Sequence, residues 1–198
     1  MKILALSDEK VKKFYDYYQP GRLKEYDLIL SCGDLPKKYL EFIVTMARCP
    51  VLYVHGNHDD RLLLDPPEGC DCIDGKLYVY KDLRILGLGG SYRYNNGINM
   101  YTEEEMNRRI RKLMPKLWWH KGVDLIVTHA PVKNVSDMDN VSHQGFACFK
   151  NLMDKYEPKY LVHGHVHRNY GTEIPQMRMY GETKVMNAYE YCVLEIDA

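Results

Sequence analysis

Apolar residues fall along the chain in short runs, at 3–6, 28–30, 51–54, 123–127 and 160–162, broken only by Asp124 and each bounded by polar or turn-forming residues. Runs of this length without polar alternation predict strands buried on both faces. Between the first three runs the spacing becomes helical, at Val11, Phe14, Tyr15 and Tyr18 and again at Leu40, Ile43, Val44 and Ala47. Strand, helix, strand repetition predicts a parallel sheet covered by helices.

Further along, Thr102-Glu103-Glu104-Glu105 has the form of a capping box, and Met106, Ile110, Leu113 and Leu117 continue an apolar stripe. A third helix is expected there, kinked or ended by Pro115. A fourth is expected after Gly145, with Phe146, Phe149, Met153 and Tyr156 on one face and Pro158 as its stop. The stretches 77–88 and 177–196 read instead as strands at short spacing, broken near Lys81-Asp82, Gly181 and Tyr189-Glu190, which suits antiparallel pairing. A second, more antiparallel sheet packed on the first is therefore expected. No linker or repeat interrupts the chain, so residues 1–198 read as one domain.

Composition narrows the partners. Lys plus Arg and Asp plus Glu both total 27, so no global field draws the chain to nucleic acid or acidic lipid. No segment approaches the roughly 20 apolar residues of a membrane span, and the opening Met1 to Asp8 is too short an apolar run for a signal peptide. A cytoplasmic address is expected, and the six scattered cysteines are expected to be reduced thiols. The basic stretch from Arg108 to Lys121 carries the apolar stripe through it and reads as a solvated helix face, so nucleic acid is not an expected partner. Oligomeric state is not legible.

The informative feature is where the polar residues fall. The five runs lead into Asp8, Gly33-Asp34, Gly56-Asn57-His58-Asp59, His129 and Gly164-His165-Val166-His167. All lie at carboxyl ends of predicted parallel strands, the edge where open α/β sheets bind ligands. One Asp or His after a strand is an ordinary helix cap or turn residue, but five strands out of five call for a shared purpose. The glycines let the backbone turn sharply and bring neighbouring side chains together. Carboxylate, amide oxygen and imidazole without thiolate suit manganese, iron, zinc, nickel or magnesium. Two carboxylates leave excess positive charge on two such ions, which attracts phosphate and acidifies a bound water.

In this order the segments resemble the calcineurin-like metallophosphoesterase family, whose pattern is Asp-x-His, Gly-Asp, Gly-Asn-His-Asp or -Glu, a lone His, and Gly-His-x-His. The resemblance spans nearly the whole chain. It implies an α/β fold of two packed mixed β-sheets flanked by helices, an α/β/β/α sandwich, around a pair of divalent ions such as manganese, iron, zinc or nickel. By position Asp34 would bridge the ions, Asp8 and His167 would hold the first, and Asn57, His129 and His165 the second. His58 would sit over the substrate as general acid, and Asp59 would orient it or a ligand. The implied activity is hydrolysis of a phosphate mono- or diester of a small phosphorylated substrate by attack of a metal-bound hydroxide.

This chain departs from the pattern at Lys10, which stands where the family places the histidine of Asp-x-His. A protonated lysine cannot coordinate. Either the first ion keeps an extra water and binds more weakly, or Glu9 turns in, or one ion serves with Lys10 adding charge beside the phosphate; a weaker first site is the expectation. His143, before the fourth helix, is a further substrate-binding candidate together with the free amides of that helix terminus. The Gly87 to Asn96 loop offers Tyr92 or Arg93. The alternative function is a binding scaffold of the same fold with hydrolysis weakened or lost.

Overall fold

The computed structural model describes residues 1–168 and 174–196. Its strands are β1 (Lys2–Ser7), β2 (Leu28–Ser31), β3 (Val51–Tyr53), β4 (Asp71–Cys72), β5 (Lys76–Tyr80), β6 (Leu83–Leu88), β7 (Ser91–Tyr92), β8 (Met100–Tyr101), β9 (Leu125–Thr128), β10 (Tyr160–His163), β11 (Met177–Tyr180), β12 (Thr183–Asn187) and β13 (Glu190–Glu195). Its α-helices are α1 (Lys37–Met46), α2 (Glu103–Trp119) and α3 (Cys148–Tyr156). None of the helices among the described residues is long and apolar enough to cross a membrane.

The strands form two large sheets, in the orders β13-β1-β2-β3-β4 and β11-β12-β10-β9-β6-β5, with β7 and β8 as a separate short pair. Parallel pairing runs through both: Leu4 lies opposite Ile29 and Ile29 opposite Val51 in the first, Ile126 opposite Leu161 in the second. The five predicted strands therefore do not share one sheet, while the second sheet is, as expected, the more antiparallel of the two. Among the described residues, the antiparallel pairs in these sheets are β13–β1 in the first and β5–β6 and β11–β12 in the second. Apolar continuity shows that a strand is covered on both faces, but not which sheet it joins.

Why both faces are covered follows from the period of two. Ile3, Ala5, Leu28, Leu30 and Leu52 point inward to meet Ile85, Leu125, Val127 and Val162 of the other sheet. Leu4, Leu6, Ile29 and Val51 point outward against Phe14, Tyr39, Leu40 and Ile43, on α1 and the segment before it. Leu86, Leu88, Ile126 and Leu161 face Met106, Ile110 and Leu113 of α2 and Phe149 and Met153 of α3. The result is the expected α/β/β/α sandwich.

Two helix expectations need correction, and a third is narrowed. The segment from Val11 forms only a single 3-10 turn, Lys12–Phe14. Its apolar positions are still used, since Phe14 is buried and Tyr15 and Tyr18 meet Phe42 edge to face at 4.9 and 5.5 Å. Pro115 lies inside α2 without ending it; it is on the solvent face, where water can take up the freed carbonyl. The fourth predicted helix starts at Cys148, because Phe146 is held outside it by a parallel bridge to Val132. The capping box at Thr102 forms as expected, with Glu105 N–H donating to Thr102 Oγ1 at 3.2 Å and Thr102 N–H to Glu105 at 2.8 Å.

Candidate metal centre

The carboxyl ends of both sheets meet at one edge. Asp8, Asp34 and Asn57 follow β1, β2 and β3 of the first sheet, while His129, His165 and His167 follow β9 and β10 of the second. Oxygen donors thus arrive from one sheet and ring nitrogens from the other. Asp8, Asp34 and His165 all adopt left-handed backbone, with φ of 65°, 57° and 66°. That region is costly for side chains other than glycine and concentrates at functional sites. Two glycines make the convergence possible. A methyl on Gly56 would overlap the Asp34 carboxylate, and one on Gly164 would overlap Ser7 Oγ and the Asp8 carboxylate.

At the centre, one donor atom each from Asp8, Asp34 and His129 lies within 4.8 Å of the other two. His129 is fully buried, with Nε2 2.9 Å from Asn57 Oδ1 and 3.3 Å from Asp34 Oδ2, and Nδ1 2.7 Å from the Cys32 carbonyl. Burial opposes a charge on this ring, but the Asp34 carboxylate outweighs it and raises the pKa to about 9. Burial likewise opposes ionisation of Asp34, yet His129 and the His58 amide hold its carboxyl down at about 2. Asp8 is also held below the usual range: burial acts against it, and the contacts with His167 and His129 prevail. The pocket therefore stabilises anionic oxygen and demands compensating positive charge.

A divalent ion fits that demand. Nε2–H of His129 donates toward the Asn57 and Asp34 oxygens; a bound ion would take that proton's place, because Nδ1–H is kept on the Cys32 carbonyl, the arrangement by which a ligating histidine has its tautomer fixed from behind. His165 is held in the same way through Nε2, 2.7 Å from the Ser142 carbonyl, which leaves Nδ1 as the lone-pair nitrogen. Burial and the neighbouring His129 push its pKa down to about 3, so it remains neutral. His165 N–H donates to Asp8 at 2.9 Å. His167 Nε2 lies 3.6 Å from Asp8 Oδ1, and its ring stacks on Tyr189 at 4.7 Å. Asp59 accepts the Gly56 and Asp34 amides at 2.7 and 2.8 Å and so ties two ligand loops together. Burial and Asp34 raise its pKa.

A cleft of about 240 Å³ opens here, walled by Asp8, Asp34, His58, Tyr94, His143 and His165, with His167 and Ser142 completing it. The six predicted ligands are thus brought together, with His58 and His143 beside them. Lys10 is not. It is exposed, its ammonium lies 5.2 Å from the centre of the Tyr15 ring, and neither it nor the exposed Glu9 lines the cleft. The amides of α3 are not open to an anion as expected, because Glu103 accepts from Ala147 and Cys148 N–H at 3.0 and 2.6 Å.

Two contributors were not foreseen. In the Gly87 to Asn96 loop, Tyr92 packs on Phe146 and Arg93 pairs with Glu105 at 2.9 Å, while Tyr94 reaches the cleft and accepts from Asn57 Nδ2 at 3.1 Å. Behind the loops, Asp74 takes His55 Nδ1 at 3.2 Å, Gly89 N–H at 2.7 Å and the Arg109 guanidinium, which also donates to the Gly89 carbonyl at 2.7 Å. Arg109 is therefore no part of a solvated face. No single-residue pattern marks this network, since its members lie on separate elements.

The sequence profile of the calcineurin-like phosphoesterase family matches residues 1–169, and the chain belongs to that family. The fold agrees. One crystal structure superposes with a TM-score of 0.70 at 13% identity, covering 98% of this chain and 94% of its own. The crystal structure of TT1561 of Thermus thermophilus does so with a TM-score of 0.60 at 16% identity, covering 96% and 89%. No curated protein sequence matches this chain.

Proposed function

We propose that this chain is a metal-dependent phosphoesterase that cleaves a phosphate mono- or diester of a small substrate at a two-ion centre. The observation that carries the proposal is the convergence of Asp8, Asp34, Asn57, His129, His165 and His167 from two sheets, with His129 and His165 each held from behind by a carbonyl. In this reading Asp34 is shared, Asp8 and His167 complete the first site, and Asn57, His129 and His165 complete the second. Divalent ions held there, manganese or a similar species, would neutralise phosphate charge and acidify water at neutral pH.

The chain's own groups do the rest. Asp34 accepts the His58 N–H at 2.8 Å and fixes the backbone from which the exposed imidazole reaches over the cleft. From there His58 can protonate the departing oxygen. Asp59 keeps the Asp34 and Gly56 turns in register, and Tyr94 holds the Asn57 amide with its oxygen toward His129.

The test is turnover of an aryl phosphate and a bis-aryl phosphate after loading with manganese, iron, zinc, nickel or magnesium, beside elemental analysis of the same samples. Bound metal with hydrolysis of either ester is the expected result. Bound metal with no hydrolysis by any ion would overturn it in favour of a binding scaffold. The observation that favours that second reading is Lys10, which leaves the first site without an imidazole from the β1 loop.

A further inference from the structure

A second concavity, of about 490 Å³, adjoins the metal centre and shares Asp34 and His58 with the wall of the cleft. Its apolar surface is presented by the exposed ring of Pro36 and the stems of Lys38 and Arg61, with Leu35 and Leu62 buried beneath them. Its charged groups are Lys37 and Lys38 at the start of α1, Arg61 in the turn after His58, and Asp65.

These charges are unequally engaged. Lys37 is committed to Asp65 and, at 3.7 Å, to Glu41. Asp59 and Asp34 turn their carboxylates to backbone amides and to His129 on the side of the metal centre. Lys38 and Arg61 make no ion pair among the described residues, and both are exposed. The groove therefore presents an apolar floor with two uncommitted cations, and the ring that joins it to the cleft is His58.

That junction gives the groove a direction. On the phosphoesterase reading, on which this inference rests, His58 serves the departing oxygen, so whatever is attached to that oxygen extends past His58. We infer that the groove binds the leaving group, and that this group pairs an apolar or aromatic body with a negative charge of its own. The body lies on Pro36 above the buried Leu35 and Leu62, and the charge lies between Lys38 and Arg61. A neutral leaving group would leave both cations unused.

The test uses two matched pairs of probes that differ only in charge. 4-Carboxybenzylphosphonate and 4-carbamoylbenzylphosphonate cannot be hydrolysed, and their binding to the manganese-loaded protein is read by calorimetry. 4-Carboxyphenyl phosphate and 4-carbamoylphenyl phosphate report turnover. The carboxylate phosphonate is expected to bind about tenfold more tightly than the amide, a preference that falls to less than about twofold in the Lys38→Ala, Arg61→Ala double variant and in about 0.5 M salt. Both residues are exposed, so an unchanged unfolding curve is expected for the variant. Equal binding of the two phosphonates by the wild type, or a preference that survives the double substitution, overturns the inference whether or not the esters are cleaved. Absence of ester turnover alongside a charge-dependent preference counts against hydrolysis and leaves the groove assignment standing.

Discussion

Replacing Asp74 by alanine should destabilise the fold by about 3–4 kcal/mol, from the loss of three charge-assisted contacts and the desolvated groups left behind. The carboxylate accepts from Arg109, Gly89 N–H and His55. Without it the Gly89 amide lacks its acceptor and the Arg109 guanidinium loses its counter-charge. The Asp74 side chain is 11% exposed and that of Arg109 20%, so water recovers part of the loss and the upper end of the range is not exceeded. Asp74→Asn keeps an acceptor and the volume but not the charge, and should cost about 1–2 kcal/mol. A double cycle with Arg109→Ala should return a coupling of at least about 1 kcal/mol. The assay is urea unfolding at neutral pH and again in acid. Burial opposes ionisation of Asp74, and the His55 hydrogen bond and Arg109 charge overcome it, so its folded pKa lies below the ordinary range. Its contribution is complete above the unfolded value of about 4 and is lost as pH falls through the folded one. The gap between wild type and Asp74→Asn should therefore close in acid. A cost below about 1 kcal/mol for the alanine variant, or a gap that widens in acid, would refute the reasoning.

Other substitutions test the centre directly. Gly164→Ala places a methyl against Ser7 Oγ and the Asp8 carboxylate; a stability loss of about 1–3 kcal/mol and a drop in bound metal are expected, and full metal content would count against the packing argument. Tyr94→Phe removes the acceptor of the Asn57 amide, which should weaken metal binding about tenfold by titration while the unfolding midpoint moves little. Lys10→His should raise the metal bound per chain in elemental analysis; unchanged stoichiometry would show that the first site does not lack a ligand from the β1 loop.

The convergence was legible because Asp8, Asp34, the segment from Asn57 to Asp59 and the three histidines each sit at the end of an apolar run, and parallel strands bring such ends to one edge. The choice of Asn57 rather than His58 or Asp59 as a proposed ligand came from the family resemblance, not from the runs. Sheet membership was not legible, since Ile3 and Leu125 have the same apolar neighbours although they belong to different sheets. The false helix at Val11 shows the same limit: a spacing of three and four residues places Phe14 and Tyr15 in the core whether the backbone is helix or turn. Tyr94 and Arg109 escaped because their partners, Asn57 and Asp74, are remote in sequence, and neither residue type at its own position signals what it will meet.

The origin of the donors has a mechanical consequence. At the proposed centre, an ion held by Asp34 and His129 would be fastened to the first sheet through oxygen and to the second through nitrogen, a rivet through one edge of the sandwich. At the opposite edge the sheets meet through Leu83, Tyr160 and Ile196 and through the Tyr160 hydroxyl, which donates to the Glu195 carbonyl at 3.1 Å. Parting the layers at the riveted edge and letting the ion go are then one event. At an ion concentration about 100 times its dissociation constant, that event is harder by about 2.7 kcal/mol, so amide exchange in β1, β2, β9 and β10 should slow together by about 100-fold.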